Sequence, residues 1–511
     1  MNKSAVIVGA GHNGLVAACL LAKRGVKVTV LERRDVVGGA CVTEELIPGF
    51  RVSTAAYSFS LFRPEIVKEL DLERHGLAWY SKEPRMFVPL PDGRSLYVWR
   101  DAARTVEEIR LVDEKDADAW PRWNAFWDEV AGVVRPLVLD PEPPTLAELE
   151  TELDRRGKSE LFRLAIAGSA ADTVRRFFRS DAVQGMTASQ GIIGTHASVN
   201  DPGTAFVMTY HAFGGELVDG AGTWAYVRGG MGGVTQALAA CARSLGVRII
   251  TGAPASEIVV EGGRATGVRV LGGDEIRADL VFSNADPKRT FLHMLPSGTL
   301  SPAFEDRVAS IDTRGSVIKV NLALDEVPDF LGMGGNAGPE HAGTIEISPS
   351  IDYLQSAFED AHKGSSSVRP FMEVFIQSVS DPTLAPPGKH VASCFAQYAP
   401  AEINPDEWDL MREQAGDAVI DTLAGYAPNL KDAIIHREVL GPPELEARFG
   451  LTGGNIFHGE ILPGQIFGER LGPRTPVRGL YLCGSGAHPG GGVTGAPGWN
   501  AARAALSDID E

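Results

Sequence analysis

The chain has 511 residues, of which 44% are hydrophobic and 22% are charged. These proportions are ordinary for globular proteins and exclude disordered, collagen-like and coiled-coil chains, and the length predicts two domains or one large interleaved pair. A formal net charge of −18 disfavours nucleic acid and anionic membrane surfaces as partners.

Cysteine usage and hydropathy predict a cytoplasmic protein without a metal site. The five cysteines are scattered and form no C-x-x-C pair, so neither a disulfide framework nor a zinc site is expected. No apolar run reaches the roughly 18 residues of a membrane span, and the first strand begins at about Ser4, which leaves no room for a signal peptide. Peripheral membrane contact stays open, and the oligomeric state is not predicted.

The chain begins with a β-turn-α-β pattern, in which "VIVGAGHNG" is the turn and "VKVTVLE" the second strand. Gly9 permits a tight turn, Gly11 lets the backbone approach a pyrophosphate, and Gly14 lets helix and strand pack closely. Glu32 ends the second strand at about the 20-residue spacing of a carboxylate that accepts a ribose hydroxyl. The pattern predicts a dinucleotide site, for NAD or FAD alike, in which His12 is a spacer that contributes its backbone.

The pattern from about residue 100 to 225 is mostly helical. Two amphipathic stretches, "DADAWPRWNAFWDEVAGVV" and "ELFRLAIAGSAADTVRRFF", flank the break "DPEPPT" and predict a helical insertion. Trp120, Trp123 and Trp127 recur at helical spacing, which predicts a packed core face, with a substrate-lining aromatic wall as the alternative.

Strand signals return after the insertion. "GVRIITGAPASEIVVEGGRATGVRVLGG" predicts two short strands around Gly-Gly, and "DLVFSNADP" a third strand. "SVIKVNLAL", "FMEVFIQSV" and "HVASCFAQY" predict a second, largely antiparallel sheet between about residues 315 and 400. A helix is expected over about 405–425.

The last segment, "GLYLCGSGAHPGGGVTGAPGWNAARAAL", repeats the logic of the first, with a strand, a glycine-rich loop and a helix from about Thr494. A nicotinamide enzyme needs one such junction, whereas FAD uses two. One helix N-terminus holds the pyrophosphate and the other faces the electron-rich pyrimidine edge of the flavin. We therefore expect noncovalent FAD, since Cys41, the conceivable covalent tether, is of a residue type more often found as a small buried hydrophobe.

The motifs "VGAGHNGLVAACLLAKRGVKVTVLERRDVVGGACVTEELIPGF", "GGMGGVTQAL", "GGNIFHGE" and "GLYLCGSGAHPGGGVTGAPGWNAA" resemble the phytoene-dehydrogenase-related FAD oxidoreductases from end to end. The segment "RVSTAAYSFSLFRPEIVKELDLERHGL" is most similar to the pyridine nucleotide-disulphide oxidoreductase domain-containing protein 2 branch, beside carotenoid ketolases and isomerases. Because the chain has no C-x-x-C pair, disulphide reduction is not expected.

The resemblance implies which residues bind FAD. They are Gly9, Ala10, Gly11 and Gly14 at the pyrophosphate, Glu32 at the adenosine ribose, Arg33, Gly38, Gly39 and Ala40 along the ribityl chain, Ala255 at the adenine, and Gly484, Ser485, Val493, Thr494 and Gly495 at the flavin end. Ser485 departs from the acidic residue that many relatives carry at this position.

Candidate proton carriers lie in two other segments. His458 and Glu460 belong to "NIFHGE", which is expected to return toward the flavin, and His211 and Glu216 precede the "RGGMGG" loop on the substrate side. The alternative for each is a structural role, because hydride abstraction by a flavin often needs orientation more than a base.

Together these patterns predict an α/β fold with a Rossmann-like FAD domain built from residues 1–80, 225–290 and 455–511. A substrate domain of mixed or antiparallel sheet is expected over residues 81–224 and 291–454, with the helical insertion at about 101–224. The predicted activity is that of a dehydrogenase or desaturase that moves a hydride from an apolar organic substrate to flavin N5. An external acceptor such as oxygen or a quinone then reoxidises the flavin.

Three alternatives stay open. A carotenoid or polyene desaturase, ketolase or isomerase predicts a long apolar tunnel. A flavin amine oxidase predicts aromatic residues beside the flavin and a lysine near N5, and it is disfavoured because the motif segments assigned to the flavin contain no lysine. A non-catalytic flavin-binding interaction protein predicts a flavin that no donor reduces.

Overall fold

The computed structural model describes residues 3–330, 333 and 336–510. Its strands are β1 (Ser4–Val8), β2 (Lys27–Leu31), β3 (Thr43–Ile47), β4 (Phe50–Ser53), β5 (Trp79–Ser81), β6 (Met86–Pro89), β7 (Ser95–Val98), β8 (Ala225–Val227), β9 (Arg248–Ile250), β10 (Ala255–Glu261), β11 (Arg264–Val270), β12 (Glu275–Arg277), β13 (Leu280–Ser283), β14 (Val317–Leu324), β15 (Thr344–Ile347), β16 (Phe371–Phe375), β17 (His390–Gln397), β18 (Ile434–Leu440) and β19 (Leu480–Leu482).

Its α-helices are α1 (His12–Lys23), α2 (Pro64–Glu69), α3 (Ala102–Arg110), α4 (Glu114–Val138), α5 (Leu146–Arg155), α6 (Ser159–Phe162), α7 (Ala170–Arg175), α8 (Asp181–Ala188), α9 (Thr204–Ala212), α10 (Gly232–Ser244), α11 (Pro302–Ala309), α12 (Pro339–Ala342), α13 (Ile351–His362), α14 (Trp408–Ala424), α15 (Leu430–Ala433), α16 (Pro442–Phe449) and α17 (Ala496–Asp510). Short π-helical turns cover Arg163–Ala167 and Arg289–His293, and 3-10 turns cover Ser189–Gly191, Gln377–Val379 and Phe467–Glu469.

A parallel sheet with the strand order β19-β13-β1-β2-β9 joins distant parts of the chain. Its central strands are short runs rich in Val, Ile and Leu, as expected where both faces of a parallel sheet are covered. Helices α1, α10 and α17 pack together on one face. All five strands lie within residues 1–80, 225–290 and 455–511, and the domain boundaries stay a prediction.

A second sheet of seven strands has the order β18-β14-β17-β16-β15-β6-β7. It contains the antiparallel strands expected between residues 315 and 400, and β15 pairs with β6 in parallel. Side chains alternate between the two faces of a strand. One face carries Val320, Val374 and Cys394 into a core under α14, and the other carries Lys319 and Glu373 beside apolar residues such as Phe395.

The helical insertion is present as α3 to α9. The predicted helix over "ELFRLAIAGSAADTVRRFF" is interrupted, because Ser169 has extended backbone angles and its side chain accepts from the N–H of Asp172, which starts α7 as a new helix. Among the described residues, no helix is both long and apolar enough to cross a membrane.

Candidate active site

Three cavities run in series from the parallel sheet to the helical insertion. The first, of about 390 Å³, covers the β1–α1 turn. The second, of about 140 Å³, lies on the polar face of the seven-stranded sheet, and the third, of about 340 Å³, lies under α4. The first and second share His12, Ala40, Leu451, His458 and Ser485. The second and third share His211 and Trp224.

The β1–α1 turn is held tight by its glycines. Gly9 has a φ of +91°, where a side chain would be strained. A Cβ on Gly14 would lie 2.3 Å from the carbonyl oxygen of Gly9, so only glycine lets the helix approach the strand this closely. The N-terminal turn of α1 therefore faces the first cavity, where its free N–H groups and its dipole favour an anion.

Glu32 and Arg33 line the same cavity at the end of β2. The Glu32 carboxylate accepts from the N–H of Ala10 at 2.8 Å and from the N–H of Arg34 at 2.9 Å. Arg33 reaches across the cavity and donates to the carbonyl of Ala447, at the end of α16, at 2.8 Å. These contacts fix the turn and close one wall of the cavity.

The two glycine-rich junctions meet at a hydrogen bond. Asn13, in the first turn of α1, donates to the hydroxyl of Ser485 at 3.0 Å, and Arg470 donates to the carbonyl of Ser485 at 2.9 Å. Gly484 packs on Asn284, since a Cβ there would lie 2.7 Å from the Asn284 carbonyl oxygen. Ser485, which stands where many relatives carry an acidic residue, thus connects the N-terminal and C-terminal segments.

The predicted cofactor residues occupy two layers. Those that line the first cavity are Gly9, Gly11, Glu32, Arg33, Gly38, Gly39, Ala40, Ala255 and Ser485, and Val493 lines the second. The other predicted residues line neither of these two cavities and are Ala10, Gly14, Gly484, Thr494 and Gly495. Thr494 accepts from the N–H of Arg63 at 3.1 Å, which anchors α2 to the second junction. The cofactor role of each residue stays a prediction.

Two half-buried histidines, His12 and His458, stand where the first and second cavities join. Within the described residues, His12 Nε2 and His458 Nδ1 have no hydrogen-bond partner. Burial lowers the pKa of each to about 4, so both rings are neutral at physiological pH. Unpaired polar atoms at this place fit a polar ligand that spans both cavities. His12 therefore presents its side chain to the site and is more than the spacer expected from the motif.

His211 stands where the second and third cavities join. Its Nδ1 lies 3.2 Å from the carbonyl oxygen of Gln190, and its ring centre lies 5.4 Å from that of Trp224. Burial lowers the pKa of His211 to about 4. A neutral imidazole here can accept or donate one hydrogen bond to a molecule in either cavity.

Glu460 lies apart from the two histidines, in the wall behind the second cavity. Its carboxylate accepts from the hydroxyl of Thr195 and from the amide of Asn455 at 3.0 Å. Burial raises its pKa to about 7. The structure thus brings His458 and His211 to the cavities and leaves Glu460 bridging two loops, and its proton-carrier role stays a prediction.

A lysine does line the second cavity. Lys319 lies in β14. Its Nζ donates to Asn321 Oδ1 at 3.1 Å and to the hydroxyl of Ser393, and it lies 5.4 Å from the ring centre of Tyr57. Burial lowers the pKa of Lys319 to about 7. The motif segments assigned to the flavin contain no lysine, but Lys319, from another segment, lines the second cavity, so their lack of a lysine does not disfavour an amine oxidase. The available signal was the single charge inside the apolar strand "SVIKVNLAL".

The third cavity is lined by apolar residues and by polar ones, and its charged lining residues are Arg85, Asp128, Asp219 and Glu373. The apolar lining residues include Trp120, Trp123, Trp127, Met186, Met208 and Trp224. The three α4 tryptophans are thus both a buried core face and a cavity wall. Glu373, on β16, lies at the floor, where it accepts from the hydroxyl of Tyr57 at 3.0 Å and from the amide of Gln190 at 3.5 Å.

The sequence motifs missed part of the first cavity. Its further lining residues include Asn284, Asp286, Arg289, Met294 and Phe449. Asn284 follows β13, which pairs in parallel with β1, so the ends of both strands lie at the same edge of the sheet. Ligands of open parallel sheets bind at this edge, and "SNADP" after a buried strand was the available signal.

Residues 14–506 match the family described as flavin containing amine oxidoreductase. The chain belongs to this family. It is 39% identical over 544 residues to the pyridine nucleotide-disulfide oxidoreductase domain-containing protein 2 of Rattus norvegicus, covering 99% of this chain and 93% of that protein. It is 25% identical over 512 residues to the phytoene desaturase of Neurospora crassa, covering 96% of this chain and 82% of the desaturase.

Among solved structures, wild-type putrescine oxidase bound to putrescine has a TM-score of 0.63 and 18% identity, covering 100% of this chain and 99% of that one. This likeness confirms the predicted α/β fold. The family and its relatives confirm the predicted resemblance and make the chain a flavin-dependent oxidoreductase. Such an enzyme acts on a substrate and passes electrons to an acceptor.

Proposed function

We propose that the chain binds FAD noncovalently along the first and second cavities and oxidises a compact, mainly apolar donor in the third. The observation that carries the proposal is the continuity of the three cavities through shared lining residues. Bound FAD supplies a two-electron acceptor, with flavin N5 taking a hydride from the donor.

The first cavity suits the adenosine and pyrophosphate parts of FAD. The glycine turn and the N-terminus of α1 favour the pyrophosphate, and Glu32 and Ala255 line the part expected to hold adenosine. The second cavity, with Val493 and Ser485 beside Lys319, is the place for the flavin ring.

Noncovalent binding is favoured by the state of Cys41, the thiol that lines the second cavity. Its Sγ donates to the carbonyl of Met231 at 3.2 Å, and burial raises the pKa of the thiol to about 12. The thiolate, which is the nucleophilic form, is therefore scarce at neutral pH.

The volume of the third cavity favours a compact donor. At about 340 Å³ it falls at the lower end of the range of roughly 300–1,000 Å³ for small-molecule sites. Its tryptophan and methionine side chains suit an apolar body, and its charged residues Arg85, Asp128, Asp219 and Glu373 suit a polar group on the donor. A long polyene needs an extended apolar tunnel, so this site favours the smaller class of donor.

Oxidation of an amine is a second candidate. Lys319 lies at the second cavity, and the aromatic side chains of Tyr57 and Trp224 flank the same space. A lysine and flanking aromatic side chains are the two features expected of a flavin amine oxidase. A cationic amine also suits a tryptophan-lined cavity with a carboxylate at its floor.

The test begins with purified protein and its absorption spectrum. We expect a yellow protein that releases FAD on denaturation without proteolysis, as identified by chromatography. Anaerobic mixing with benzylamine, cyclohexanol, limonene and lycopene is expected to bleach the flavin with at least one of the three compact donors and not with lycopene. Reoxidation by oxygen and by a soluble quinone then identifies the acceptor.

A matched pair of variants locates the donor. Met208→Trp fills the third cavity and is expected to abolish reduction by the donor while flavin content stays unchanged. Leu410→Trp, on the exposed face of α14, is the control that adds the same side chain elsewhere. A colourless protein that ignores added FAD would remove the proposal. A flavin that dithionite bleaches and no donor reduces would favour the non-catalytic alternative.

A further inference from the structure

One row of side chains crosses the polar face of the seven-stranded sheet. Lys319, Phe395, Glu373 and Glu346 are direct partners on the neighbouring strands β14, β17, β16 and β15. Neighbouring strands lie about 4.8 Å apart, so Glu373 stands two strand spacings from Lys319 with Phe395 between them. Lys319 and Phe395 line the second cavity and Glu373 lines the third. Lys319, Phe395 and Glu373 therefore form a common floor of both cavities, and Glu346 lies beyond its edge.

The Glu373 carboxylate is held in place from two sides. Tyr57, which also lines the second cavity, donates its hydroxyl to Oε2 at 3.0 Å, and Gln190 donates to Oε1 at 3.5 Å. Glu373 is only 5% exposed, and its cavity-facing side is the route to solvent. One tyrosine thus separates the carboxylate from the space proposed for the flavin ring.

Lys82 is a buried lysine near Glu373, and burial lowers the pKa of Lys82 to about 7 although the charge of Glu373 opposes this shift. Its Nζ donates to Thr344 at 3.0 Å and to Ser58 at 3.2 Å, and it lies 4.3 Å from the ring centre of Phe375 and 4.6 Å from that of Tyr226. Burial raises the pKa of Glu373, and the charge of Lys82 opposes this by stabilising the carboxylate. Lys82 thus favours the carboxylate of Glu373, which is the form that can accept a proton.

The other titratable groups that face Glu373 are Glu346, Tyr57 and Tyr226. Glu346 is directly opposite Glu373, and two adjacent buried carboxylates repel each other. Burial, reinforced by the charge of Glu373, raises the pKa of Glu346 to about 8. At neutral pH Glu346 therefore carries a proton, whereas the charge of Lys82 favours the carboxylate form of Glu373.

We propose that Glu373, held by Tyr57 and Gln190, accepts the proton released when the donor is oxidised, with Lys82 as the buried positive charge that favours its carboxylate form. The inference rests on the proposed function. Two-electron oxidation breaks a donor C–H bond, and the hydride with both electrons passes to the flavin. An adjacent X–H bond, where X is nitrogen, oxygen or carbon, also breaks. Its proton forms an O–H bond on Glu373, its electron pair forms the C=X double bond, and the proton later leaves through the third cavity.

The test compares Glu373→Gln with Glu346→Gln in the holoenzyme. Both change one buried carboxyl on the same face of the sheet, and only Glu373 lines a cavity. With the fastest donor among benzylamine, cyclohexanol and limonene, we expect stopped-flow flavin reduction to be about 100-fold slower in Glu373→Gln. It should be unchanged in Glu346→Gln, whose amide replaces an acid that is already protonated.

Lys82→Met provides a readout that a structural role would not move. Reduction in the wild type should speed up with rising pH as Glu373 loses its proton. This rise should occur at higher pH in Lys82→Met and be absent in Glu373→Gln. Infrared difference spectra without any donor, wild type minus Glu373→Gln, follow the protonated carboxyl of Glu373 directly, and its titration should show the same upward displacement in Lys82→Met.

The outcomes separate the two levels of inference. A wild-type flavin that dithionite bleaches and none of the three donors reduces removes both the proposed function and the proton role. A reducible wild type with an equally fast Glu373→Gln removes the proton role alone, as does an infrared titration in which Glu373 stays protonated up to pH 9. If Glu373→Gln purifies without flavin, the pH dependence of flavin reduction in Lys82→Met decides. A rise at the same pH as in the wild type then removes the proton role.

Discussion

Replacing Gly14 by alanine tests whether close packing of α1 on β1 holds the cofactor turn. The new Cβ would lie 2.3 Å from the carbonyl oxygen of Gly9, about 1 Å short of the 3.4 Å at which ordinary contact begins. The obstacle is backbone, so the helix must move. Overpacking of this kind costs about 1–3 kcal/mol, and the higher helix propensity of alanine offsets about 1 kcal/mol of it.

At the upper end of this range the net loss is about 2 kcal/mol, which corresponds to about 30-fold weaker flavin binding if the whole cost falls on the bound state. The assay is flavin retention during dialysis, measured by absorbance, together with the melting temperature. Gly132→Ala is the matched control, because Gly132 lies in α4 and its Cβ would meet nothing within 4 Å. That variant should gain up to about 1 kcal/mol and keep its flavin. Equal retention and equal melting in the two variants would refute the packing argument.

Three further predictions concern single side chains. Lys319→Met should slow flavin reduction by about 100-fold at pH 6 and much less at pH 9, since the pKa of Lys319 near 7 makes it charged only at the lower pH; Lys363→Met, at an exposed site, is the stopped-flow control. Asn13→Ala should weaken flavin binding about fivefold by removing one hydrogen bond worth about 1 kcal/mol, and Ser485→Ala should add little to it in a double variant, by fluorescence titration. Because burial raises the pKa of Glu460 from its usual 4.5 to about 7, stability should fall as pH rises between these values, by on the order of 3 kcal/mol; melting temperatures of Glu460→Gln should show a weaker dependence on pH, and parallel curves would contradict this reasoning.

The part of the site proposed for the nucleotide could be predicted from the sequence because its steric constraints are local. Gly9, Gly11 and Gly14 lie within one turn, and each answers a steric demand of that turn. Glu32 follows at the end of the next strand, where parallel pairing with β1 brings it back to the turn. Such spacings can be recognised in the sequence, so the α/β class and a dinucleotide cofactor followed from them, whereas the choice of FAD also needed the second glycine-rich junction.

The residues around the cavity proposed for the donor could not be predicted from the sequence, and the reason is again physical. Lys319, Glu373 and Glu346 form one row only because three strand pairs adopt one register, and a shift of one residue in any pair would send a side chain to the opposite face. Helical spacing grouped the α4 tryptophans correctly but did not say that a cavity lay beside them. Register and cavity shape depend on the whole packed chain.

The same row suggests what a sequence can still reveal about such sites. An unpaired charge buried in a sheet is costly, so a strand that is apolar except for one central Lys or Glu needs a partner or a task for that residue. "SVIKVNLAL", "FMEVF" and "GTIEIS" each contain one such residue. In this fold the three residues share a single face, where the charge of Lys82 favours the carboxylate form of Glu373 and burial raises the pKa of Glu346 to about 8. Isolated charges in neighbouring apolar strands therefore point to a polar floor beneath a ligand, before the register that aligns them is known.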